Sequence, residues 1–193
     1  WATPASSGAS DINDLSDALI EDTGSMYVGN DPSSTTNGAN YNVAVGTTAM
    51  DAITEGDNNT AVGYNALTSN TAGAGNTALG YETLKDNTTT SYNVAVGNSA
   101  LEKNTGGYNT AVGNSSLTNK VSGGYNTAIG HTAGNNITSG SDNVLIGYNT
   151  DASSATPTNQ IVIGKGASGQ ADNSVTLGNA DVTAVYMAQD AGA

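Results

Sequence analysis

The sequence predicts an all-β fold, a parallel β-solenoid of about nine coils of about 17 residues, and three observations carry that prediction. The first is a recurring glycine, at Gly29, Gly46, Gly63, Gly80, Gly97, Gly113, Gly130, Gly147, Gly164 and Gly178, spaced by 17, 17, 17, 17, 16, 17, 17, 17 and 14 residues. The second is the pattern ahead of each glycine, as in NVAVG (42 to 46), NTAVG (59 to 63) and NTALG (76 to 80). Large, mostly β-branched residues alternate there with alanine, the period of a strand with one face buried. The third is the Gly, Asn, Ser and Thr between these motifs, which suit tight turns and work against a helical repeat.

The elements come in chain order. Residues 1 to 25 read as a linker or as a short amphipathic helix, with Ile12, Leu15, Leu19 and Ile20 at helical spacing and Ser10 or Asp11 as its cap. Residues 26 to 171 are the repeats. In each coil the strand is expected to turn its first and third large residues inward. Val45, Val62, Leu79, Val96, Val112, Ile129 and Ile146 would then form one buried row, with Thr60, Thr77, Thr110 and Thr127 on the same inward face. Four positions past the glycine stands a second apolar residue, Met50, Leu67, Leu84, Leu101 and Leu117, which weakens to Gly134, Asp151 and Ser168. Residues 172 to 193 form the terminal coil and a junction at its end.

Composition sets the assembly. Leu, Ile and Val number 30 of 193 residues and the formal charge is −13, a balance at which a chain of this kind ordinarily stays unfolded. Three or four large apolar side chains per coil do not close a core, so the solenoid is expected to be trimeric, three parallel chains sharing one dry centre. The chain has no cysteine, hence no disulfide and no thiol chemistry. Four lysines and no arginine against 17 acidic residues exclude nucleic acid and anionic lipid as partners. No apolar run approaches about 18 residues, so no membrane insertion is expected.

Candidate functional residues repeat with the coils. Asn42, Asn59, Asn76, Asn93, Asn109, Asn126 and Asn143 hold one position of seven coils and read as a structural ladder of stacked amides. Tyr92, Tyr108 and Tyr125 precede that position in consecutive coils, with Tyr41 at the equivalent place, and are receptor-binding candidates. Such rows either present rings to sugars or pack against one another or a neighbouring chain. Tyr64, Tyr81 and Tyr148 make a sparser second set. The repeat is broken around residues 151 to 158, which adds Ser153, Ser154 and Thr156 as candidates. His131 stands alone in a polar slot, and no metal or cofactor is expected. Neither a nucleophile motif nor a phosphate loop nor a dinucleotide fingerprint occurs, so no enzyme is expected.

The motifs YNTAVGNSSL, NNTAVGYNAL and YNVAVGNSAL resemble the head repeats of YadA-type trimeric autotransporter adhesins and, more closely, the repeat shafts of phage tail fibres. The resemblance covers residues 26 to 193 and implies a left-handed β-roll in a homotrimer. It further implies a structural and receptor-binding segment of a viral tail fibre on the virion, outside the cell. Such a segment attaches to a glycan or outer-membrane protein of a bacterial host, and joins other tail or fibre proteins through its N-terminus. The stretch NSVTLGNADVTAVYMAQDAGA resembles the junction that precedes a self-cleaving C-terminal chaperone in such fibres. The alternatives are the head of a bacterial surface adhesin and an ice- or polysaccharide-binding solenoid. The inward threonines count against ice.

Overall fold

A computed structural model describes residues 18–20, 24–29, 38–119 and 121–185. Three-residue strands recur at the predicted places: β2 (Met26–Val28), β3 (Val43–Val45), β4 (Thr60–Val62), β5 (Thr77–Leu79), β6 (Val94–Val96), β7 (Thr110–Val112), β8 (Thr127–Ile129) and β9 (Val144–Ile146). Two four-residue strands come next, β10 (Gln160–Ile163) and β11 (Ser174–Leu177). From β2 to β11 the pairing is parallel, each strand bonded only to its sequence neighbours. Like residues meet like: Ala61 pairs with Ala78, and Val62 with Leu79. The chain is an all-β parallel solenoid of about eight turns at about 17-residue spacing, and the step to β11 is shorter. Among the described residues there is no helix.

At the N-terminal end β1 (Ala18–Ile20) pairs antiparallel with β2. Leu19 and Ile20, the end of the expected amphipathic helix, therefore lie in a strand; the rest of that helix falls outside the described residues. Antiparallel pairing has a physical use here, because it occupies the open edge that the first parallel strand would otherwise present.

The alternation of each strand is as expected and its phase is reversed. Ala44, Ala61, Ala78, Ala95, Ala111 and Ala128 are fully buried. The row expected inside faces outward: Leu79 is 47 % exposed, Ile129 41 % and Ile146 36 %, with Val45, Val62, Val96 and Val112 half-buried. Thr60, Thr77, Thr110 and Thr127 share that outward face. A one-residue change of phase exchanges the two faces of a strand, and the width of the coil selects between them. Met50, Leu67, Leu84, Leu101 and Leu117 reach in from the opposite wall and are fully buried, with Ile53, Val121 and Ile137 at a third corner. Between those walls an alanine methyl fits and a second row of branched side chains does not. Where the leucine column ends, at Gly134 and Asp151, the strand centre enlarges to Leu145 and Val162.

The glycines that close the strands lie in the left-handed half of backbone space, Gly113 at φ 136°. A Cβ on Gly113 would stand 2.4 Å from the carbonyl oxygen of Gly130. The obstacle is the backbone of the next coil of the same chain.

Candidate functional site

Three columns of side chains run along the solenoid, each arising because one position of the coil is repeated in register. The innermost is the asparagine column. All seven side chains, Asn42 to Asn143, are fully buried. Each Oδ1 accepts from the next coil: the Asn126 backbone N–H lies 3.0 Å from Asn109 Oδ1 and the Asn126 amide nitrogen 3.1 Å from it. In six of the seven, Nδ2 also donates to a turn carbonyl, that of Asn109 to Gly123 O at 3.0 Å, and Asn93 Nδ2 donates instead to Thr90 Oγ1 at 3.5 Å. The column thus satisfies backbone groups that a buried turn would leave unpaired.

The ends of this ladder are built from other residues. Ser25 Oγ accepts the Asn42 N–H at 3.0 Å. At the far end the Gln160 N–H donates to Asn143 Oδ1 at 3.0 Å, and the Gln160 amide donates to Asp172 Oδ1 at 3.0 Å. Ser153 completes the closure, its N–H donating to Gln160 Oε1 at 3.0 Å. The Ser153 hydroxyl also accepts from the Gln160 amide at 2.5 Å, so this receptor-binding candidate is tied into the fold through its side chain. Ser154 and Thr156 are exposed, the Thr156 N–H donating to Ser154 Oγ at 3.3 Å. Asp172 lies below the usual carboxylate range because it accepts from the Thr158 N–H and then from Gln160. With a lowered folded value, what it contributes is present above its unfolded pKa and is lost as pH falls through the folded one. Burial pushes Asp151 the other way, so its ionisation opposes folding as pH rises past the unfolded value.

A second buried ladder escaped the sequence reading. The Asn87 amide donates to Asn70 Oδ1 at 3.2 Å, and that of Asn104 to Asn87 Oδ1 at 3.1 Å. Its signal was the same 17-residue spacing, in only three coils.

The outer columns are aromatic. Tyr92, Tyr108 and Tyr125 stack on one another, with ring centroids 5.1 and 4.9 Å apart and interplanar angles of 25° and 9°. Of the readings open for this row, packing of the rings on one another is present within the chain. Tyr41 is 67 % exposed and has Asn58 as its counterpart in the next coil, so it stands outside the stack. On the other side of the strand Tyr64 stacks on Tyr81 at 5.4 Å and His131 on Tyr148 at 5.5 Å. His131 is exposed. The Glu82 charge raises the Tyr81 phenol, and the hydrogen bond from Lys85, 3.1 Å away, lowers Glu82. A partly exposed surface pair of this kind adds little to stability.

Between the aromatic columns lies the outward face of the strands. It carries Thr60, Thr77, Val94, Thr110, Thr127, Val144 and Ile161 in one column and the valines, leucine and isoleucines ahead of the glycines in the other. The outward threonines remove the argument made against an ice-binding face, yet Val94, Val144 and Ile161 interrupt their hydroxyls. A hollow of about 520 Å³ at the open end of the last coil, lined by Ser168, Gln170 and Asp181 among others, contains a single carboxylate. Among the described residues no three metal-ligating side chains converge, and no helix is long and apolar enough to cross a membrane. Comparison with protein-family models, with curated proteins and with solved structures finds no match.

Proposed function

We propose that this chain is a structural and receptor-binding segment of a trimeric, phage-type tail fibre that attaches the particle to a bacterial surface, without catalysis. The observation that carries the reading is the outward apolar face. Two columns, mostly of Val, Ile, Leu and Thr, run along ten in-register parallel strands, from β2 to β11, which at about 4.8 Å per strand is a strip roughly 43 Å long. Monomers rarely leave an apolar strip of that extent in water, and covering it calls for a partner with the same repeat. A second and third copy of this chain supply it, all three running in one direction. The net charge of −13 per chain keeps such rods from adhering side by side. The phage motif resemblance supports the fibre over the bacterial adhesin as the setting.

Light scattering on the purified protein at micromolar concentration is expected to give three times the chain mass of 19.1 kDa. The double variant Leu79→Asp, Ile129→Asp places charges on the outward face, where a single coil tolerates them, and is expected to give a folded monomer. Labelled parent protein should stay on envelopes of its host in a bacterial panel, and the double variant should wash off. A folded parent monomer, or a double variant that remains trimeric, removes the proposed assembly.

A further inference from the structure

The tyrosine row points to the chemistry of the ligand, an inference that rests on the attachment reading and extends it. Tyr92, Tyr108 and Tyr125 all adopt left-handed backbone, with φ of 61°, 61° and 60°. Tyr41 holds the same position at φ 57°, and the other coils fill it with Asn58, Gly75, Asp142 and Asn159, the residue types that tolerate this region. A tyrosine is disfavoured there, so the backbone does not select it. Stacking offsets the cost in part, and Gly75 makes the seat for the first ring, since a Cβ there would lie 2.9 Å from Tyr92.

Stacking also decides what the row presents. With the ring faces turned on one another, a sugar cannot lie flat on them as it does on an isolated aromatic side chain. The edges remain. The three tyrosines are 56 %, 51 % and 61 % exposed, and among the described residues their hydroxyls make no hydrogen bond. Each phenol both donates and accepts. Repeated at the ring spacing of 5.1 and 4.9 Å, they form a linear array whose period selects a polymer of matching period.

An extended β-1,4-linked polysaccharide advances by nearly this distance per sugar and carries hydroxyls along its edges. We propose that the Tyr92–Tyr108–Tyr125 row binds such a chain laid parallel to the solenoid axis, one sugar per coil, each sugar bonded to one phenol. A branched or tightly coiled polymer loses register after one contact. The charge of −13 and the exposed Asp142, next in the same column beyond Tyr125, favour neutral or amino sugars over polyanions.

The test uses cello- and chito-oligosaccharides from the monosaccharide to the hexasaccharide, titrated calorimetrically against the assembled protein, the parent beside Tyr108→Phe. Phenylalanine keeps the stack and removes only the hydroxyl, and an unchanged melting temperature verifies that. Affinity is expected to rise with length up to the trisaccharide and then level off. Tyr108→Phe is expected to weaken the trisaccharide about tenfold, as one lost hydrogen bond does. Parent protein that ignores both sugar series, affinity that does not rise with length, or a phenylalanine variant that binds like the parent overturns the proposal. Adherence of the parent to host cells is scored separately. Cells bound without oligosaccharide binding would remove the ladder site and leave the attachment reading, and oligosaccharides bound without adherence would do the reverse.

Discussion

Valine in place of Gly113 is expected to cost the fold roughly 4 kcal/mol or more, or to prevent soluble expression altogether. Two terms add. At φ 136° a branched residue is strained by about 1–3 kcal/mol before it meets any neighbour. The added Cβ would then stand 2.4 Å from Gly130 O, 2.6 Å from Gly130 C and 3.0 Å from His131 N. These are backbone atoms, so no change of rotamer relieves the overlap, and the two coils must part. Parting them breaks the bond that joins these two coils in the same row, Gly130 N–H to Val112 O at 2.7 Å. A chain of this length shifts in melting temperature by about 2–4 °C per kcal/mol, so thermal unfolding by circular dichroism should fall by about 10 °C or more. Gly166→Asn is the control: its φ of 62° suits asparagine and nothing lies within 4 Å of the added atom. A Gly113→Val protein that melts like its parent would deny the glycine column any steric role.

Asn109→Leu should be the next most damaging change, although leucine nearly matches asparagine in volume. The substitution leaves the Asn126 backbone N–H, the Asn126 amide and the Gly123 carbonyl each without the partner they have at 3.0, 3.1 and 3.0 Å. Buried groups left unpaired cost about 1–3 kcal/mol each, so a loss of about 3 kcal/mol or more is expected from urea unfolding. Hydrogen exchange supplies the local readout. The Asn126 amide should lose protection by a larger factor than amides three coils away, whose ladder bonds remain intact. Uniform protection across the coils, with unchanged stability, would mean that the ladder is ornament rather than support.

How far the sequence disclosed this structure depended on what repetition can encode. The period and strand positions were legible because each coil sets the same residue at the same place, and a mispaired register would have set alanine against valine. The phase was not legible from the strands. Alternating Val and Ala says that one face is enclosed; which one depends on Met50, Leu67, Leu84, Leu101 and Leu117 filling the interior from the far wall. The asparagine column was readable from spacing alone, whereas its terminators Ser25, Gln160 and Asp172 acquire meaning only once the direction of the ladder is known. Likewise the tyrosine spacing was visible, but whether the rings offer faces or edges depends on their left-handed backbone and mutual stacking, which no spacing specifies.

The inversion of the strand faces bears on function, because it places the branched side chains where another chain can cover them. The absence of cysteine from the chain allows a direct test by single-cysteine labelling with a maleimide. The Ala128→Cys thiol, on the inner face, is expected to resist labelling in the concentrated protein and after dissociation of the assembly under conditions that leave each solenoid folded. The Ile129→Cys thiol, one residue on at a position 41 % exposed in the single chain, is expected to resist labelling in the assembly and to react rapidly once the copies separate. Rapid reaction of the Ile129→Cys variant in the concentrated protein would show that no partner covers the face, and rapid reaction of the Ala128→Cys variant in the folded chain would show that the phase of the strand is wrong.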